Sequence, residues 1–145
     1  MIKDDVRRNL AKKALEMRKM AYTPYSHFKV GAALLCEDGS VYTGCNIENA
    51  AFTPGNCAER TAIFKAVSEG KRKFRAIAIA GGKENGSEPD YCPPCGVCRQ
   101  VMREFCENSF EIILARSETD YRITSLGELL PESFGPDFVK EEYDA

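Results

Sequence analysis

With 145 residues, 43% of them hydrophobic and 29% charged, the chain has the size and balance of one globular domain with a core of its own. A formal charge of −2 argues against a protein built to grip a phosphate backbone, so no nucleic-acid partner is expected. No apolar run approaches the ~18 residues of a membrane span, and the first twenty residues or so are charged throughout, so a cytoplasmic protein without a membrane partner is expected.

Residues 2–21 place Ile2, Val6, Leu10, Ala14 and Met17 at steps of three and four, which predicts an amphipathic helix stopped by Tyr22-Thr23-Pro24. FKVGAALLC (28–36) and VYTGCNIEN (41–49) flank EDGS, where Asp38-Gly39 is a two-residue turn signal, so a hairpin of antiparallel strands follows. The loop FTPGN leads into CAERTAIFKAVSEG (57–70), a helix with Ala62, Ile63, Ala66 and Val67 on one face and Gly70 as its stop. The basic run GKRKFR (70–75) reads as a solvated helix end. FRAIAIA (74–80) is a buried strand, residues 81–94 a long loop, and CGVCRQVMREFCE (95–107) a further helix. EIILA (111–115) is a short buried strand, and SLGELL (125–130) a short helix. The order α-β-β-α-β-α-β with a C-terminal piece predicts an α/β fold, a three-layer α/β/α sandwich on a mixed sheet. A single catalytic domain over residues 1–136 and a flexible acidic tail over 137–145 complete the expected organisation.

Seven cysteines, an odd number, suit thiolate ligands or small buried hydrophobes better than disulfides in a reducing compartment. Cys95 and Cys98 form a C-x-x-C at a helix start, where unpaired N–H groups and the dipole favour thiolate. Redox pairs, zinc sites and structural clips share that feature, so alone it decides nothing. Cys57 begins the preceding helix, and a right-handed β-α-β-α path brings both helix N-termini to one sheet edge. Three thiolates could then converge on one cation and leave a fourth tetrahedral position for water, as in a catalytic zinc site. Glu59, two residues beyond Cys57, would stand beside that water as a proton carrier, with Arg60 or Arg99 offsetting the thiolate charge. A closed structural zinc site remains an alternative at this point. Cysteine, one spacer and glutamate, followed later by Pro-Cys-x-x-Cys, is nevertheless the three-cysteine signature of zinc deaminases. Cys36, Cys45 and Cys106 read as packing residues, Cys92 as a free, partly exposed thiol, and His27 as an ordinary loop residue.

CAERTA (57–62), PCGVCRQ (94–100), YSHFKVGAAL (25–34), GCNIENAAF (44–52) and LLPESFGP (129–136) together resemble the small homotetrameric cytidine deaminases, in that family's order and over almost the whole chain. The resemblance implies a five-stranded type of sheet and one Zn2+ per subunit held by Cys57, Cys95 and Cys98. It implies hydrolytic deamination of a small-molecule pyrimidine nucleoside, cytidine or 2′-deoxycytidine, with release of ammonia, as a step of pyrimidine salvage. Glu59 would carry protons between water, the ring nitrogen N3 and the departing amine. Asn46 and Glu48 would bind the sugar, their strand alternation placing both side chains on one face. Phe28 would line the base pocket, and the Ala58 N–H would serve the base carbonyl. Phe134 would reach a neighbouring subunit's site, so the expected assembly is a homotetramer with shared sites. Three departures stand out: Phe52 where many relatives carry Tyr, a longer loop before Pro93 that adds Cys92, and the extended tail.

Overall fold

Backbone pairing and side-chain alternation together sort this chain into layers. The computed structural model describes residues 2–86 and 89–140. Its strands are β1 (Phe28–Cys36), β2 (Val41–Cys45), β3 (Phe74–Lys83), β4 (Glu111–Ala115) and β5 (Tyr121–Ser125). Its helices are α1 (Asp4–Met17), α2 (Ala58–Ser68), α3 (Gly96–Phe105) and α4 (Leu126–Leu129). The sheet runs β2-β1-β3-β4-β5, antiparallel throughout except for β3 and β4, which are joined by a crossover through α3.

Successive strand residues point to opposite faces. Ala32, Leu34, Ile77, Ile79, Ile112 and Leu114 therefore meet Ala62, Ile63, Met102 and Leu126 of α2, α3 and α4. On the other face Ala33, Ala76, Ala78, Ala80 and Ala115 meet Leu10, Ala11 and Ala14 of α1. Small residues dominate this second interface, so the helix backbone lies close to the sheet. Leu10 is fully buried there, worth ~1.5–3 kcal/mol relative to an exposed leucine. The result is the expected α/β/α sandwich on a mixed five-stranded sheet.

Several boundaries differ from the sequence reading. Cys36 N donates to Ser40 O at 2.8 Å, so the hairpin loop has residues 37–39 rather than two, closed by Gly39 at φ 92°. β2 stops at Cys45, because the Asn46 side chain, not another strand residue, takes up the next backbone groups of β1. β3 continues to Lys83, since Phe28, Lys29 and Val30 of β1 pair with Lys83, Gly82 and Gly81. The strand β5 was absent from the sequence reading; YRITS is half exposed on an edge, with no buried apolar run to mark it. The acidic tail is described as far as Lys140. Asp137 pairs with Arg103 at 2.7 Å, Phe138 stacks on Phe134, and residues 141–145 of the expected tail lie outside the described residues.

Gly44 fixes where the site is built. A Cβ there would lie 2.5 Å from Ala58 O and 2.6 Å from Ala62 N, so only glycine lets the first turn of α2 settle on β2. No helix among the described residues is long and apolar enough to cross a membrane.

Candidate active site

Cys57 is the N-cap of α2 and Cys95 the N-cap of α3, both with extended backbone, while Cys98 lies in the first turn of α3. Each sulfur thus sits where unpaired helix N–H groups favour negative charge. The structure brings all three together: their Sγ atoms lie within 4.8 Å of one another, with Cys57–Cys95 at 3.8 Å and Cys95–Cys98 at 3.5 Å. Zn–S bonds of about 2.3 Å in a tetrahedron set sulfurs about 3.8 Å apart, so the donor set fits zinc. Three donors form the cluster among the described residues.

Hydrogen bonding with Cys98, reinforced by Arg60, brings the Cys57 thiol down to about 5. Arg60 NH2 lies 3.2 Å from Cys57 Sγ, so Arg60 supplies the offsetting charge. Arg99 does not. It donates from Nε to Pro94 O at 2.7 Å and from NH1 to Leu129 O at 2.6 Å, bracing the approach to Cys95 instead.

Glu59 follows in the first turn of α2, only 4% exposed, yet it lines a cleft of about 440 Å3. Burial, together with the charge on Cys57, pushes its carboxyl up to about 7. A carboxyl that exchanges its proton near neutrality is what acid–base work requires. The same cleft is lined by Asn46, Glu48, Ala58, Cys57 and Cys95.

The expected sugar-binding pair reaches the cleft by a route other than strand alternation. Asn46 and Glu48 lie beyond β2. Asn46 accepts from Val30 N at 2.9 Å and donates to Phe28 O at 2.8 Å. Glu48 accepts from Tyr25 N and Ser26 N, each at 3.1 Å, and from the Ser26 hydroxyl. Phe28 is not among the residues lining this cleft, but its ring and Cys92 meet over Gly81, where a Cβ would lie 2.7 Å from Cys92 Sγ and 3.2 Å from the ring. Phe134 stays outside the cleft of its own chain, 60% exposed and stacked on Phe138 at 5.3 Å.

Some participants escaped the sequence reading. Tyr25, Ser26, Asn56 and Pro93 line the cleft, and Phe52 lines it with its ring 94% exposed. His27 is no ordinary loop residue: its φ is 56°, and Nδ1 lies 3.0 Å from Glu84 Oε2. Cys92 is half-buried in the cleft wall, its thiol pushed up to about 11 chiefly by desolvation. Glycine at 81 was the available signal for that close packing.

Residues 5–113 match the family model described as the cytidine and deoxycytidylate deaminase zinc-binding region. A cytidine deaminase of Sporosarcina psychrophila is 51% identical over 81% of this chain and 82% of its own. One from Halalkalibacterium halodurans is 48% identical over 88% and 93%. The crystal structure of a Burkholderia pseudomallei cytidine deaminase, 47% identical, superposes with a TM-score of 0.77 over 87% of this chain and 97% of that one. A Mycobacterium tuberculosis cytidine deaminase structure, 38% identical, gives 0.73 over 88% and 95%. The matched region includes the three sulfurs, the helices α2 and α3 that carry them and the strands β1, β2 and β3, and its cofactor is zinc. Agreement in sequence and fold over most of its length means that this chain belongs to the cytidine and deoxycytidylate deaminase family.

Proposed function

We propose that the protein is a zinc-dependent hydrolase that takes cytidine or 2′-deoxycytidine and one water to uridine or 2′-deoxyuridine and one ammonia. The observation that carries this reading is the convergence of Cys57, Cys95 and Cys98 at a cleft whose wall holds the buried Glu59. Cys57, Cys95 and Cys98 would hold the zinc, which when bound would supply the Lewis acidity that makes water a competent nucleophile near neutral pH. Glu59 takes a proton from the attacking water, passes it to N3 of the pyrimidine, and later delivers a proton to the amine leaving C4. Addition at C4 makes a flat ring carbon tetrahedral, and binding that shape better than the flat substrate is what accelerates the reaction. Ala58, at the first position of α2, offers its backbone N–H to the base carbonyl. With two of its hydrogen bonds spent on β1, Asn46 keeps a second Nδ2 proton for a sugar hydroxyl, and the Glu48 carboxylate accepts from one.

Three donors rather than four among the described residues favour an open position over a closed structural site. A carboxylate facing the sugar is a poor neighbour for a phosphodiester, which favours a free nucleoside over a base within a polynucleotide. Residues 1–136 form the catalytic unit in this reading. The working assembly is a homotetramer in which Phe134, exposed beside the exposed Phe138 and Val139, completes a neighbour's site. Its place is pyrimidine salvage in the cytoplasm, a reducing compartment suited to thiolate ligands.

Zinc-loaded protein is to be incubated with cytidine, deoxycytidine and a cytosine-containing oligonucleotide while ammonia and the ring absorbance are followed. Both nucleosides should turn over and the oligonucleotide should not. Absence of ammonia from both nucleosides overturns the proposal, and sedimentation as a fully active monomer overturns the shared site.

A further inference from the structure

Glu48 is held in an unusual way for a side chain expected to meet a ligand. Among the described residues its side-chain hydrogen bonds all come from one turn, 22 residues or so away in the chain: Tyr25 N and Ser26 N on Oε1, and the Ser26 hydroxyl on Oε2. A carboxylate accepts about four hydrogen bonds, so three are taken and one lone pair remains for the cleft that both Ser26 and Glu48 line. The same hydroxyl of Ser26 accepts from Phe28 N at 3.0 Å. One oxygen therefore ties the sugar-side carboxylate to the backbone of the ring assigned to the base.

The turn is shaped for this. His27 N donates to Thr23 O at 3.1 Å, and His27 adopts φ 56°, a left-handed conformation uncommon for a residue with a side chain. Glu84 secures it on both sides, its N–H donating to His27 O at 2.8 Å and its carboxylate meeting His27 Nδ1 at 3.0 Å. Backbone held in a sparsely populated region persists where surrounding contacts over-determine it, and such places cluster at functional sites. Here the outcome of the strain is visible: two successive N–H groups and a hydroxyl point at one carboxylate. These donors also hold the Glu48 carboxyl below its ordinary range, Ser26 foremost, so it stays an acceptor at working pH.

We infer that Ser26, with the turn Thr23–Phe28, is the positioning residue for nucleoside sugar recognition: it fixes the Glu48 carboxylate, charged and in one rotamer, so that its free lone pair accepts from a hydroxyl on the sugar ring itself. This inference rests on the nucleoside reading above. Without the hydroxyl at Ser26, Glu48 keeps its two backbone donors but gains rotational freedom, and the sugar contact weakens while the chemistry at the zinc end is untouched.

Ser26→Ala and Ser26→Thr are to be assayed, zinc-loaded, with cytidine and with 2′,3′-dideoxycytidine, which keeps the 5′-hydroxyl but lacks both ring hydroxyls from which Glu48 would accept. For Ser26→Ala on cytidine, KM should rise about tenfold with kcat within about twofold of the unaltered protein. Ser26→Thr should restore KM to within about threefold, and the Ala variant should match the unaltered protein on the dideoxy substrate within about twofold. In a Glu48→Gln background, Ser26→Ala should add less than about twofold, because both changes remove one interaction. Equal zinc content in all variants excludes loss of fold. Equal losses on both substrates, or additive losses in the double variant, overturn the positioning role. Unaltered kinetics of Ser26→Ala on cytidine overturn this inference alone, whereas an unaltered protein inactive on both nucleosides overturns the nucleoside reading and this inference with it.

Discussion

The two helix N-termini that deliver the sulfurs are held by different means. The Cys57 arm is seated by backbone: α2 rests on Gly44, and Asn56, just before Cys57, exchanges backbone hydrogen bonds with Ile47 at 3.0 Å and 2.9 Å. The Cys95–Cys98 arm is seated by side-chain contacts with other elements. Arg99 ties Pro94 to Leu129, and Tyr91 is fixed by its hydroxyl on Asp120 at 2.6 Å and by Arg116 and Arg122 over its ring at 5.4 Å and 5.2 Å. The first arm also carries Glu59, the proton carrier proposed above, whereas the second carries only two of the sulfurs. Chemistry that depends on a sub-ångström placement sits on the arm whose position leaves no room to move.

Glu59→Gln should expose that division most sharply. Turnover of cytidine should fall by at least ~10²-fold while zinc content and melting temperature stay near those of the parent, because the amide keeps the shape and loses the proton. Turnover within a factor of a few would remove Glu59 from the mechanism.

Gly44→Val attacks the seat of the same arm. Its side chain would push against Ala58 O and Ala62 N, and destabilisation of at least ~1–3 kcal/mol is expected together with reduced zinc retention. Thermal melting and metal analysis after dialysis against a chelator would read both. A variant that retains the parent's stability and zinc would show that α2 can shift without consequence.

On the side-chain-held arm the losses should be graded. Arg99→Ala leaves the Pro94 and Leu129 carbonyls without their charged donor and should lower stability by ~1.5–3 kcal/mol, with faster zinc loss to chelator but unchanged kcat per bound zinc. A fall in kcat per zinc would mean that the arm takes part in catalysis. Tyr91→Phe removes the hydroxyl contacts with Asp120 and Arg116 and keeps the ring beside Arg116 and Arg122, so ~1 kcal/mol or less is expected in denaturant melts, with zinc retention unaltered.

Much of this molecule was readable from the chain. The periods of α1 and the buried strands announced the sandwich, and Cys57, Glu59, Cys95 and Cys98 announced a metal-assisted site, because a helix start and a C-x-x-C are local patterns. The half-exposed β5 lacked a buried run to reveal it. Asn46 and Glu48 follow from the family resemblance of GCNIEN, but the strand expected to align them ends at Cys45, and contacts with Val30, Phe28 and the turn at Ser26 hold them instead.

What the sequence determined by itself is therefore the set of chemical groups and the elements that carry them, since helix and strand periodicity and thiolate spacing act over a few neighbouring residues. Tertiary structure alone decided that Arg99 reaches Leu129 rather than Cys57, that Cys92 enters the cleft wall, and that Ser26 grips Glu48. Such pairings join residues distant in the chain, and only the close packing of a finished core selects among the many partners their chemistry would allow.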